Sequence, residues 1–321
     1  FWSWGKFKSY FNKFKSYIMS LLDKTNLLIT PNAVKAGKLY SVIPSSGTGD
    51  CSVVRNTTAT RINSAGFIVD VSANLPRLSY SLNTGGNPFL LDEPQRTNVI
   101  IQSNGFQTSS WSKSGSTSVI PIVTANSVLS PDNTINAALV EITSVSDNEF
   151  AALIQGITLI TDNTTLSIFL RAFDASQVGK KVSVLCNSST GISGIAATLS
   201  LSWQRFTFNR TSQISQILIG KGRSSFASGG VTQAEMATKF YIYESQLEVG
   251  NTATSTIKTT AAAVTRNADV ITVAPPAGTV KITTTFSNDT TQVITSIPAL
   301  FTVPEGLIKQ VLMQSSLWYT N

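Results

Sequence analysis

Three carboxylate pairs are spaced so as to invite hydrolytic chemistry: Asp92 with Glu93, Asp147 with Glu149, and Glu244 with Glu248. Cleaving a glycosidic bond takes two such groups roughly 5–10 Å apart across a groove. Neighbours on a strand point to opposite faces, so Asp92 and Glu93 diverge. Asp147 and Glu149 can share a face, but Ser146-Asp147-Asn148-Glu149 reads as a loop. Histidine is absent, which removes the commonest general base and the commonest zinc ligand together. A Ser-His-Asp triad, a Cys-His dyad and an HExxH helix are thereby excluded within this chain. Cys51 and Cys186 are too few for a structural zinc site or a disulfide framework, and read as buried thiols. No enzyme signature results, and the expectation is a non-enzymatic protein.

Binding chemistry is better represented. A sugar site needs aromatic platforms plus a few polar groups, and Trp111, Trp203, Tyr241 and Tyr243 are the available rings. The competing reading of each is core packing, where large aromatics usually go. Trp203 shares one strand face with Leu201, Arg205 and Thr207, while Ser202, Gln204, Phe206 and Phe208 share the other. Both faces mix polar with apolar, so its side stays open. Asp132 and Glu248 are the candidate calcium ligands, if flanking strands bring them together. The alternative is that Asp132 caps an Asp-Asn turn. No other cofactor is expected.

The elements that must position these groups read as strands. Of 321 residues, 42% are hydrophobic, enough for a proper core. Only 13% are charged, so Ser, Thr, Asn and Gln must make the polar surface. No apolar run is long enough for a transmembrane helix. Short β-branched and aromatic runs include Phe67–Val71, Val119–Val123, Leu166–Phe169, Lys181–Leu185, Ala196–Leu201 and Phe240–Tyr243. Turn clusters such as Asn83-Thr84-Gly85-Gly86-Asn87 and Ser130-Pro131-Asp132-Asn133 separate them. That punctuation predicts an antiparallel sandwich. One short helix is expected near Thr232–Thr238. The chain divides into 1–24, a loop-rich β segment 25–98, a sandwich 99–257, and a linker with a small β unit 258–321. In that last unit strands are expected near Val270–Val273, Val280–Phe286, Gln292–Ile297 and Ile308–Leu312.

The N-terminus has a character of its own. Lys6-Phe7-Lys8-Ser9-Tyr10 returns as Lys13-Phe14-Lys15-Ser16-Tyr17, and Trp4, Phe7, Phe11, Phe14, Ile18 and Leu21 form a heptad stripe. An amphipathic helix is predicted there, serving as an anchor or oligomerisation element. Such a short helix is marginal alone and must dock on copies of itself, another protein or a lipid surface. The first 40 residues hold seven lysines against Asp23, so most of the +7 formal charge sits there. The nearly neutral remainder offers no broad basic face, which argues against nucleic acid. Membrane contact, if any, belongs to this helix alone.

A family resemblance is carried by ordered phrases. Asn26-Leu27-Leu28-Ile29-Thr30-Pro31-Asn32-Ala33 comes first, then Arg55-Asn56-Thr57-Thr58-Ala59-Thr60-Arg61 and Pro76-Arg77-Leu78. Leu90-Leu91-Asp92-Glu93-Pro94-Gln95-Arg96-Thr97-Asn98 follows. Gln246-Leu247-Glu248-Val249-Gly250 and Val264-Thr265-Arg266-Asn267-Ala268-Asp269 close the series. From residue 26 to about 315 the chain resembles the fibre, tail and head-decoration proteins of tailed phages. The resemblance implies an all-β architecture: a jelly-roll β-sandwich like that of carbohydrate-binding modules, with a small C-terminal β unit. It also implies homotrimeric assembly, a place on the particle exterior, and contact with surface glycans. The aromatic N-terminal helix is not part of the shared pattern, and contact with other virion proteins is assigned to it. The runner-up is a receptor-binding tail protein that is a true glycan lectin. A structural calcium ion is compatible with the resemblance, and Trp111 resembles a packing residue of the family.

Overall fold

The computed structural model describes residues 24–44, 51–116, 119–143 and 145–316. The heptad stripe from Trp4 to Leu21, and with it the expected helix, lies outside the described residues. The first strands are β1 Thr25–Ile29, β2 Val34–Lys35, β3 Lys38–Leu39, β4 Ser52–Val54, β5 Ala59–Ile62, β6 Ile68–Val71, β7 Arg77–Ser81, β8 Gly85–Asp92 and β9 Arg96–Asn98. A central series follows: β10 Ser112–Gly115, β11 Ile122–Leu129, β12 Ile135–Glu141, β13 Ala151–Ile160, β14 Thr164–Ala172, β15 Lys181–Ser188, β16 Gly191–Thr198, β17 Gln204–Arg210, β18 Ile214–Lys221 and β19 Lys239–Val249. The chain closes with β20 Val264–Arg266, β21 Val270–Val273, β22 Thr279–Phe286, β23 Thr291–Ile294, β24 Phe301–Thr302 and β25 Gly306–Ser315.

The central strands make two antiparallel sheets, ordered β10-β13-β18-β15-β16 and β11-β12-β19-β14-β17. Taken from β12 to β19, the sheets run 12-19-14-17 against 13-18-15-16, the chain changing sheet at every connection except the β15–β16 hairpin. That is the double Greek key of a jelly roll. Period-two alternation supplies its interior. Leu166, Ile168, Leu170 and Ala172 of β14 enter the core with Val182, Val184 and Cys186 of β15 and Ile217 and Ile219 of β18. Phe206 and Phe208 pack on the same core, which settles the face of β17. Arg205 is left on the outer face.

The two flanking segments hydrogen-bond into one sheet, β23-β22-β25-β8-β7, with β1 added along β25. Its second core joins Leu27, Ile29 and Leu90 from the front of the chain to Ile282, Ile308, Val311 and Met313 from the back. In the β7–β8 turn Gly85 takes φ +65°, and a Cβ there would meet the Ser64 carbonyl oxygen at 2.1 Å. The helix expected at Thr232–Thr238 is instead one hydrogen-bonded turn, in which Met236 N–H donates to Thr232 O at 3.1 Å. Glu235 is drawn to Lys181 Nζ at 2.6 Å, and the backbone leaves to bridge Lys181 with Met236. The chain cannot wind on while its next residue is paired to a strand.

Candidate functional site

Of the four rings singled out from sequence, three are interior. Trp111 is fully buried, packs on Phe106 at 4.9 Å and donates its indole N–H to Gln102 O at 2.9 Å. Trp203 donates to Leu129 O at 3.0 Å and meets Tyr243 edge-on, 6.4 Å away. Trp203 and Tyr243 join Phe169, Ala137 and Ile68 in a cluster beneath the β5–β6 hairpin. The outer face of this sheet is thus roofed by the N-terminal segment, which withdraws both rings from solvent. Tyr241 stays half-buried, 5.5 Å from Phe173 and under Arg171.

Asp132 and Glu248 share no partner. Asp132 Oδ1 accepts from Ser130 Oγ and Thr134 Oγ1, both at 2.6 Å. Its Oδ2 accepts from Tyr243 Oη at 2.9 Å and Lys258 Nζ at 3.2 Å. Burial opposes the charge on Asp132, but these hydrogen bonds and the Lys258 ammonium outweigh it and hold the carboxyl well below its ordinary value. Glu248 accepts from Thr254 N and Oγ1 at 2.7 Å each and from Gln246 Nε2 at 2.8 Å. The acid that does feel Asp132 is Glu244, at a bulge in β19 with φ +42°. Burial pushes Glu244 up to about 7, and its Oε2 has no partner among the described residues. No cluster of three His, Cys, Asp or Glu side chains suited to a metal occurs among the described residues. The positive charge beside Asp132 is that of Lys258.

Asp147 and Glu149 serve their own loop. Asp147 Oδ1 accepts from Gln233 N at 2.6 Å, and Glu149 Oε2 from Ser146 N at 3.1 Å. The ammonium of buried Lys221 gathers the carbonyls of Ser146, Asp147 and Glu149 at 2.8–2.9 Å.

Asp92 ends β8 and Glu93 follows it; both border the same cavity, but their carboxyls have different partners. Glu93 faces inward to a buried ionic node. Arg77 Nη2 lies 2.8 Å from Glu93 and also pairs with Asp269. Arg55 Nη1 reaches Asp269 Oδ1 at 2.7 Å, and Arg266 pairs with Glu93. Ser255 N and Oγ complete Glu93 at 2.7 and 2.6 Å. Burial works against a charged Glu93, yet Arg77, Arg266 and Ser255 together hold its carboxyl below the usual range. Arg77 thus holds carboxylates through its rigid fork. Arg96 does not: its Nη1 donates to Gln95 O at 3.0 Å.

Asp92 lies at 1% exposure, and the cavity it lines with Glu93 measures about 930 Å³. The cavity sits where the β7–β8 hairpin, the outer face of β14 and β17, and the loops beside β22 and β25 meet. Tyr80, Phe89 and Phe286 line it, each half-buried. Arg61, Arg96 and Arg205 line it too, with Glu305 at its exposed side. Asp92 Oδ2 has no partner among the described residues; burial first, then the charges of Asp269 and Glu305, push its carboxyl up to about 8. Arg205 donates to Thr254 O at 2.6 Å and Ser167 Oγ at 2.8 Å, lies over the Phe169 ring, and keeps a buried, unpartnered Nε. Gly250 lets Arg96 lie close, since a Cβ there would come within 2.6 Å of the guanidinium. The sequence signal for this site is the placing of Arg205 opposite Phe206. The convergence of three distant segments has no local signal.

No described protein family matches the sequence, and no curated protein does. Solved structures with some likeness include the CBM22-1 xylan-binding domain of Paenibacillus barcinonensis Xyn10C. It is 11% identical over 49% of this chain and 94% of that one, with a TM-score of 0.32. The enzymatically active domain of bacteriophage CBA120 tailspike protein 4 is 12% identical over 47% of this chain and 21% of that one, TM-score 0.30. A CBM4 structure is 18% identical over 40% and 85%, TM-score 0.24. At these values the fold assignment rests on the strand order alone.

Proposed function

We propose that the chain is a non-enzymatic structural component of a tailed-phage particle exterior, a fibre, decoration or tail-associated protein. Its N-terminal heptad segment anchors it and assembles it as a homotrimer. The jelly roll adheres to surface glycans, and several copies turn weak single-site contact into avidity. One observation carries this reading. Arg55, Arg77, Glu93, Arg266 and Asp269 all belong to the phage-like phrases, and they meet in a buried ionic node tying both flanking segments together, in which every carboxylate oxygen has a donor. The shared phrases therefore specify a scaffold rather than a reaction centre. The paired carboxylates offered for hydrolysis at Asp147/Glu149 are engaged by their own loop, and Glu248 by Thr254 and Gln246. A structural calcium ion is no part of the proposal, because Asp132 and Glu248 do not share a site.

The test is to incubate the intact chain with bacterial surface polysaccharides and follow both retention and release of reducing ends. Retention without release is expected. Release would overturn the non-enzymatic reading and direct attention to Asp92 beside Glu305, where one carboxyl is pushed up as a general acid requires. The lectin reading is favoured by the ring-lined cavity, which has the size and mixture of groups of a ligand site. Light scattering on the intact chain and on one shortened to begin at Met19 tests the assembly: a trimer reduced to a monomer places it in the heptad segment, and a trimer in both moves it to the β body.

A further inference from the structure

We propose that the cavity beside Asp92 binds a saccharide bearing a carboxylate, with Arg205 as the anion contact and Tyr80, Phe89 and Phe286 as platforms for the sugar faces. This inference rests on the reading of the chain as glycan-binding, and names the place and the ligand class.

Charge points to the class. Arg61, Arg96 and Arg205 line the cavity, and none of the ion pairs among the described residues involves them. The lining acids do not balance them. Glu93 is already neutralised by Arg77 and Arg266. Asp92 is largely uncharged at neutral pH, because burial favours its protonated form. Among the lining acids only Glu305 is left to oppose the three guanidinium groups, and Glu248 and Glu244, which act on Arg205 from behind the lining, do not pair with it. A cavity with that excess of positive charge favours an anionic guest.

Unpartnered atoms point to the same answer. Asp92 Oδ2 and the Nε atoms of Arg96 and Arg205 are buried without a hydrogen-bond partner among the described residues. Buried polar groups are costly until something bonds them. A sugar offers hydroxyls that both donate and accept, and a uronate or sialate residue adds the carboxylate. Thr254 O and Ser167 Oγ each take one N–H of the two Nη atoms of Arg205, so the guanidinium plane and its three remaining N–H groups are held in a fixed orientation. The protonated Asp92 donates to a hydroxyl oxygen in turn. The rings decide between a glycan and an acidic peptide. Three half-buried aromatic rings lining one cavity suit the apolar faces of pyranose rings.

The probe is an array of uronate- and sialate-bearing oligosaccharides beside neutral ones of equal length, with poly-glutamate as a non-sugar anion, applied to the intact protein. Acidic glycans are expected to bind at least tenfold tighter than neutral ones and to weaken as salt rises. Arg205→Gln and Arg61→Gln are each expected to lose at least tenfold, whereas Lys281→Gln, remote from the cavity, loses the same charge without effect. Near-ultraviolet circular dichroism checks folding; if Arg205→Gln fails it, Arg61→Gln carries the comparison. Neutral glycans bound as well as acidic ones, or binding indifferent to both arginine variants, would overturn this inference and leave the glycan-binding reading standing. Poly-glutamate bound as tightly would overturn the saccharide assignment. No glycan bound at all would overturn both.

Discussion

On one side of the Asp92–Glu93 step lies a node in which all four carboxylate oxygens of Glu93 and Asp269 have donors. On the other lies a cavity whose arginines pair with no carboxylate and whose buried acid keeps an oxygen without a donor, among the described residues. The two regions adjoin where β8 ends at Asp92 and lie at a similar depth, yet their carboxylates are treated differently. A folded protein retains unpaired buried polar groups only where something else is gained. The node uses its charges to hold the chain together, with only Arg266 Nε left over, whereas the cavity leaves Asp92 Oδ2, Arg96 Nε and Arg205 Nε open among the described residues, which is what the proposed ligand site requires.

The contrast breaks most sharply at Asp269. Asp269→Asn strips Arg55 and Arg77 of their shared carboxylate, and removing one member of a buried ionic group typically costs about 3–5 kcal/mol. Denaturant unfolding should show a loss of that order; a loss below about 1 kcal/mol would mean the node is dispensable.

The cavity side predicts the reverse sign. The Asp92 carboxyl is raised in the folded state, so the protonated form stabilises the fold at acid pH. That contribution is lost as pH climbs from about 4 through about 8. Asp92→Asn cannot ionise. It should match the parent near pH 4 and exceed it by roughly 2 kcal/mol at pH 9, since each tenfold change in proton affinity is worth about 1.4 kcal/mol and relaxation around the charge recovers part of the total. A variant less stable than the parent at pH 9 would show that Asp92 is paired after all.

Between these extremes lies Tyr243, whose phenol donates to charged Asp132 beneath the N-terminal roof. Tyr243→Phe should cost about 1.5 kcal/mol, the lower range for a hydrogen bond to a charged group. Smallest of all is the exposed pair Lys309–Asp289. Lys309→Ala should change the unfolding free energy by no more than about 0.5 kcal/mol. Should it match Asp269→Asn, burial would not be what separates the two regions.

Much of this was legible in the sequence, and the limit is physical. Alternation along Leu166–Phe169 and Val280–Phe286 announces strands because period two is local. The different partners of Asp92 and Glu93 do not follow from that rule, because β8 ends at Asp92. Nor does the fate of Trp203 and Tyr243, because Ile68 reaches them from a distant hairpin. Likewise, nothing near Leu27 or Met313 says that β1 and β25 are neighbours, since that pairing joins opposite ends of the chain. The bulge at Glu244 upset the Glu244/Glu248 spacing, and a lone residue with φ above zero carries no obvious sequence signal when it is glutamate.

The decisive measurement is the unfolding midpoint of the intact protein with and without a saturating uronate or sialate oligosaccharide. A ligand that binds only the folded state raises the midpoint by mass action. A clear rise is expected for the parent and none for Arg205→Gln, each protein being compared with its own ligand-free midpoint, because losing the bonds to Thr254 O and Ser167 Oγ lowers the variant's baseline. No rise with any acidic glycan, or an equal rise in Arg205→Gln, would contradict that expectation.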